Sequence, residues 1–381
     1  MNIPLIFLVA YSVLGVPTPP GEISLARAMN SNGVVAGRMG KAAFTWNGRR
    51  LVRYKEDQFF YMDGDYTNVA TAINAHEVAV GHNGSYGSLS MSGLELATAT
   101  VYSNGVMSYI NKSGNGTFES EGINDLGWIV GADGYRGFVR KPDGTMIEVE
   151  PLSTRPEWNG TRASAIDNEG DVVGGTTINV GPVGQVQCGE QSIGMNGPMQ
   201  PMYCPDTSKY VIHAFLATFG AGAQHMRDLG TITGFPDTYA TALAEDGTVV
   251  GYSGTSSGAK WTRVGGASHA WMWYHGRMSD LGILHRGEES AAFGVNDRGV
   301  VVGCSGRQAR FGWEYDAFDP VNPNVTAVRW VNKRIQDLNS LIAPNSGWAL
   351  TCARAVNSRG WIAGEGYYKG VARAFVLVPA K

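Results

Sequence analysis

The stretch Leu25-Ala26-Arg27-Ala28-Met29-Asn30-Ser31-Asn32-Gly33-Val34-Val35-Ala36-Gly37 returns near the other end of the chain. There it reads Cys352-Ala353-Arg354-Ala355-Val356-Asn357-Ser358-Arg359-Gly360-Trp361-Ile362-Ala363-Gly364. The shared template is a strand of small residues, an Asn, a Gly three positions on and a second Gly seven positions on. It starts from Asn30, Asn74, Asn124, Asp167, Ala244, Asn296 and Asn357. The second Gly is present in every copy, as Gly37, Gly81, Gly131, Gly174, Gly251, Gly303 and Gly364. The first fails only in the second copy, where Glu77 takes its place.

The unit has a physical reading. Asn-x-x-Gly makes a tight reversal, because both residues tolerate positive φ. Val-Val-Gly is the returning strand, β-branched and expected to be buried on both faces. Its final Gly marks a point where another backbone comes close or the strand bends. A third strand follows in each copy, as in Ala43-Phe44-Thr45-Trp46, Ala214-Phe215-Leu216 and Ala270-Trp271-Met272-Trp273. A turn and a fourth strand close the unit, as in Arg277-Met278-Ser279-Asp280-Leu281.

The seventh copy lacks a fourth strand, and the N-terminus holds a spare one. Tyr11-Ser12-Val13-Leu14-Gly15 matches Asp228-Leu229-Gly230 and Asp280-Leu281-Gly282 in its place before a repeat. Tyr11–Leu14 is therefore expected to pair with Ala374–Leu377. Four-stranded units at spacings of roughly 45 to 75 residues are the signature of a β-propeller. A solenoid has shorter turns, and separate hairpins leave their edges unpaired. The expectation is an all-β, seven-bladed propeller over residues 1–381, with a long insertion at 176–210 in the fourth repeat.

Composition agrees with that class. Of 381 residues, 52 are Gly and only 17% are charged, while 43% are hydrophobic. Many glycines with few charges suit an all-β chain of tight turns. The net charge is −3 and no Lys/Arg run is clustered, so nucleic acid has no electrostatic case as a partner. The apolar segment Ile3–Ala10 is too short to span a bilayer. It has no Lys or Arg before it and contains Pro4, so a cleaved signal peptide is not expected.

The chain resembles the HAF-repeat family of extracellular repeat proteins. The resemblance rests on His213-Ala214-Phe215, His269-Ala270-Trp271, the Asp-Leu-Gly segments and the Ala-x-x-Ile-Asn-x-x-Gly-x-Val-Val-Gly core. It implies a propeller-like fold and an exported or surface setting, and no defined activity. The propeller proteins of short-tailed phage tails are similar at the level of fold, which adds a virion setting.

No nucleophile elbow, HExxH or P-loop appears, and no Cys/His spacing suits structural zinc. No cofactor is expected. Asp228, Asp280 and Asp337 recur with the repeat, which reads as scaffold, as do His213 and His269. A glycosidase needs two carboxylates facing across a cleft, and acids or His unique to one blade would mark an enzyme. The best contact candidate is Phe59-Phe60-Tyr61, beside Asp57, Asp63 and Asp65. Three adjacent aromatics suit a protein partner or the faces of sugar rings. The four cysteines fall as two pairs, Cys188 with Cys204 and Cys304 with Cys352. The first pair lies within one insertion and is placed to bridge it, although buried thiols account for either pair equally well. The reading is a non-catalytic interaction propeller, part of a larger assembly or attached to surface glycans, with a carbohydrate-active enzyme as the alternative.

Overall fold

Each copy of the template folds into one four-stranded antiparallel sheet. The computed structural model describes residues 10–54, 66–85, 97–110, 118–152, 160–181, 185–192, 199–205, 210–220, 223–255, 267–285, 289–307 and 324–380. Blade one is Ser24–Met29, Val35–Met39, Ala42–Trp46 and Leu51–Tyr54. Blade two is Tyr66–Ile73, Ala79–Ser85, Ala97–Ser103 and Val106–Tyr109. Blade three is Phe118–Ile123, Ile129–Asp133, Arg136–Arg140 and Met146–Val149. Blade four is Thr161–Ile166, Val172–Asn179, Tyr210–Gly220 and Ala223–Gly230. Blade five is Asp237–Leu243, Val249–Gly254, Ala270–Tyr274 and Arg277–Gly282. Blade six is Glu289–Val295, Val301–Gly306, Val325–Val331 and Arg334–Asp337. Blade seven is Trp348–Val356, Ile362–Tyr368, Val371–Pro379 and, from the start of the chain, Tyr11–Gly15.

The seven first strands stand side by side in a closed ring round the axis. Closure occurs where the repeat count places it. Tyr11–Gly15 pairs antiparallel with the third strand of blade seven, from Gly15 opposite Phe375 to Tyr11 opposite Pro379. The expected strands meet, and the pairing runs two residues further along the partner than Leu377. Sealing the last blade with the first strand leaves no open end to the ring.

The second Gly of each repeat now has a cause. Every innermost strand carries a β-bulge, at Arg27, Thr71, Glu121, Ser164, Thr241, Phe293 and Arg354. A Cβ on Gly81 would sit 1.9 Å from the Val69 carbonyl oxygen, two residues before the bulge, and Gly303 faces the Ala291 carbonyl in the same way. Only Gly fits there. The Val-Val pairs beside these glycines are buried on both sides, Val249, Val250 and Val302 fully. They join the apolar clusters that fill the wedge between each blade and the next, as Phe44, Trp46, Ala374 and Val376 do between blades one and seven.

Strand direction divides the connections between two faces. First-to-second and third-to-fourth connections lie on one face, and none is longer than five residues. Second-to-third connections and the links between blades lie on the other. The strands that flank 55–65, 86–96, 180–209, 255–269 and 307–324 end and begin on that face. The fourth-repeat insertion is shorter than the expected 176–210, because Thr176–Asn179 extends the second strand of blade four and Tyr210 begins the third. Within it, Gln185–Ser192 and Met199–Pro205 form a two-stranded hairpin.

Candidate channel site

The bulge residues project from the innermost strands toward neighbouring blades. Thr71 and Thr241 donate their hydroxyls to the Ser120 and Ala292 carbonyls of the next blade, at 2.9 and 2.8 Å. Ser164 donates to the Ala240 carbonyl at 2.7 Å. These are plain seams between blades. The other bulge positions carry Arg27, Glu121, Phe293 and Arg354, and with them the axis acquires a charged cluster.

In blade seven, Arg354 Nε and Nη2 both donate to Glu365 Oε1, at 3.0 and 2.7 Å. Arg27 Nη1 of blade one lies 3.7 Å from the same oxygen. Across the ring, Arg162 of blade four pairs with Glu119 of blade three and lies 3.5 Å from Glu121 Oε1. His82 of blade two and Arg38 of blade one complete the set. All are buried or nearly so. They lie on the first two strands of their blades.

The electrostatics separate the two acids of blade three. Burial pushes the Glu121 carboxyl from its usual 4.5 up to about 8, against the pull of Arg162 and with the push of Glu119. Burial also works against charge on Glu119, but Arg162 and His82 outweigh it and hold that carboxyl below its usual value. Burial lowers His82, with Arg162 and Arg27 adding to the effect against Glu119. Arg38 falls to about 10, through burial first and the neighbouring charge of Arg27 second.

The opposite arc is apolar. Tyr239 and Tyr252 of blade five stack at 5.9 Å, and Phe293 of blade six lies under the Arg354 guanidinium at 4.3 Å. Beside them a disulfide joins Cys304 to Cys352, with Cα atoms 4.8 Å apart. It ties the second strand of blade six to the first strand of blade seven.

Phe59, Phe60 and Tyr61 lie outside the described residues. Their flanking strands end at Tyr54 and Tyr66 on the insertion-bearing face. Val186 faces Cys204 across the insertion hairpin, and the side chains of Cys188 and Cys204 lie outside the description. The recurrent His and Asp residues tie the start of the third strand to the fourth within one blade. His213 Nδ1 lies 2.8 Å from Asp228 Oδ2, whose Oδ1 accepts from Gly230 N at 2.7 Å. His269, Asp280 and Gly282 repeat the arrangement at the same distances. The Ala of each His-Ala-aromatic triplet donates its N–H to Thr238 or Ser290 of the next blade. Asp337 caps a short 3-10 helix, Leu338–Leu341.

Sequence reading missed the charged cluster. The available signal was a charge between two small residues, as in Ala26-Arg27-Ala28, Ser120-Glu121-Gly122 and Ala353-Arg354-Ala355. No helix among the described residues is long and apolar enough to cross a membrane. Compared with family models and with curated proteins, the chain matches none.

Proposed function

We propose that the protein is a non-catalytic interaction propeller. It presents its insertion-bearing face to a partner protein of a larger assembly or to surface glycans, on a virus particle or outside a cell. The observation that carries this reading is the division of the two faces. Every long connection between strands leaves from one end of the ring, and the connections between strands at the other end are turns of five residues or fewer. A rigid ring that spends its chain length on one face suits display of contact loops. The Cys304–Cys352 bond supports an oxidising setting. The His-Ala-Phe and Asp-Leu-Gly segments, read as HAF repeats, favour the same surroundings.

The test replaces 180–209 by a two-residue turn like the one at 40–41, with a matched change in the turn at 141–145 of the opposite face. Both proteins are then scored on a glycan array and, by electron microscopy, for incorporation into a regular particle. Loss with the first change and retention with the second is expected. Retention with the first and loss with the second overturns the reading.

A second reading draws on Glu119 and Glu121, whose carboxyls are driven apart in acidity as an acid–base pair would be. Both sit on one strand and share the Arg162 guanidinium, so they do not face each other across a substrate. Polysaccharide turnover that disappears in Glu121→Gln would establish the enzyme instead.

A further inference from the structure

A cavity of about 670 Å³ opens on the flank of blade seven, within the size range of small-molecule sites. Three parts of the chain wall it. The closing strand gives Ser12 and Gly15, the link from blade six gives Ser346, and blade seven itself gives Trp348, Tyr368 and Arg373. Ser12 and Tyr368 are exposed, and Ser346, Trp348 and Arg373 are half-buried, so the cavity is open to solvent.

Strand register builds its wall of rings. Trp348 begins the first strand opposite Tyr368 at the end of the second, and the two rings lie 5.2 Å apart at 37°. Phe375 meets the indole at 6.2 Å and 76°. A Cβ on Gly15 would lie 3.1 Å from Trp348 Cζ2, so the closing strand gives the indole its space by carrying no side chain there. The ring is thus held in place before a ligand arrives, which spares the cost of ordering it. Arg373 Nη1 donates to the Glu22 carbonyl at 3.3 Å, which anchors the guanidinium and leaves the rest of its fork for a ligand. Among the described residues that line the cavity, Arg373 carries the only charge. Flat rings take the C–H face of a sugar, the hydroxyls of Ser12, Ser346 and Tyr368 suit its hydroxyls, and a lone guanidinium takes a carboxylate.

We propose that this cavity binds one acidic sugar ring, stacked on Trp348 with its carboxylate on Arg373. A ligand of about a dozen heavy atoms binds with a Kd near a millimolar, so the contact is measured in solution and not on an array. The site lies on the flank of blade seven and is built from strands and a link of the ring. It stands or falls separately from the display reading, which concerns the insertion loops.

The test measures glucuronate binding to the full chain by calorimetry and thermal unfolding. Glucose, which lacks the carboxylate, and cyclohexanecarboxylate, which lacks the hydroxyls, serve as comparisons at matched ionic strength. Glucuronate at ten times its Kd should raise Tm by roughly 2 °C. Both comparison ligands should bind at least about tenfold more weakly. Arg373→Gln should weaken glucuronate binding about tenfold or more, and Trp348→Leu, which removes the flat ring, should do the same. No response of the parent protein to glucuronate overturns the proposal, as does an equal response to either comparison ligand or an undiminished response in Arg373→Gln. The comparison of ligands on the parent protein decides the question even if neither variant folds.

Discussion

Asn357 and Asn30 are 327 residues apart in sequence, and the Nδ2 of Asn357 donates to the carbonyl of Asn30 at 3.4 Å. The bond closes a chain of identical ones. Asn30 donates to the Asn74 carbonyl, Asn74 to Asn124, Asn124 to Asp167, and Asn296 to Asn357, at 2.8 to 3.1 Å. Each Asn Oδ1 also accepts the backbone N–H four residues on, as Val34 and Trp361 show at 2.9 and 3.0 Å. One side chain thus fixes its own turn and clamps the next blade. That double duty is why the template holds Asn.

The clamp is interrupted at Asp167, which has no N–H to donate, and at Ala244, which has no side-chain polar group. Asn357→Ala should cost about 2–3 kcal/mol in urea unfolding, since it removes three side-chain hydrogen bonds, to Asn30, Arg359 and Trp361, and leaves buried partners unmet. Asp167→Asn should stabilise by roughly 1 kcal/mol at neutral pH, supplying a donor for the Ala244 carbonyl. A destabilised Asp167→Asn protein would show that the carboxylate has its own role there.

The first Gly of the template fails only at Glu77, and there the backbone keeps the left-handed conformation. Its φ is 61°, beside 81° at Gly33 and 76° at Gly360. A side chain in that region is strained, although Gly gives some of the gain back through unfolded-state entropy. Glu77→Gly should raise stability by about 0.5–1 kcal/mol in a denaturant titration.

Much of this was legible in the sequence, for a definite reason. The turn Asn and the close-approach Gly solve problems that the blades share, and the His–Asp pair returns in blades four and five, so they recur and can be counted. The channel cluster is legible only in three dimensions. Arg27, Arg38, His82, Glu119, Glu121, Arg162, Arg354 and Glu365 occupy the positions where the repeats differ from one another. Apart from Arg354 and Glu365, which share blade seven, the pairs join neighbouring blades, up to 338 residues apart in the case of Arg27 and Glu365. The template fixes where such a residue points, and the variation between copies fixes its charge. Sequence alone leaves Cys304 and Cys352 open between a bond and two buried thiols for the same reason, since each cysteine sits in a strand that the repeat alone explains, and the structure decides for the bond.

Glu121 should make stability depend on alkaline pH. Its folded value, about 8, lies above that of an exposed Glu, so the folded protein holds the proton more tightly than the unfolded one. The stabilisation is complete below the unfolded value and is lost as pH rises through about 8. Glu121→Gln keeps the neutral form at every pH. It should match the parent near pH 4 and exceed it at pH 9 by at least about 1 kcal/mol, and parallel pH profiles would contradict the assignment.

The Cys304–Cys352 bond closes a loop of 48 residues. Chain-entropy arguments give such a bond roughly 4 kcal/mol. Cys304→Ser with Cys352→Ser should lower stability by about 2–4 kcal/mol. Because the blade boundary is already sealed by apolar contacts, circular dichroism should still show the all-β ring. Loss of the β signal would mean that the bond, and not the packing, holds blades six and seven together.

The architecture depends most directly on Val13 facing Leu377 across the closing seam. Backbone bonds between Ala10 and Ala380, and between Val16 and Ala374, place Val13 and Leu377 in a non-hydrogen-bonded pair, where Cβ atoms approach most closely. Val13→Cys with Leu377→Cys should oxidise spontaneously to a bond that links the first and last strands. Peptide mapping should recover the two segments as one disulfide-linked species, and Tm should rise. Free thiols at both positions in the folded protein would show that the first strand does not complete the last blade.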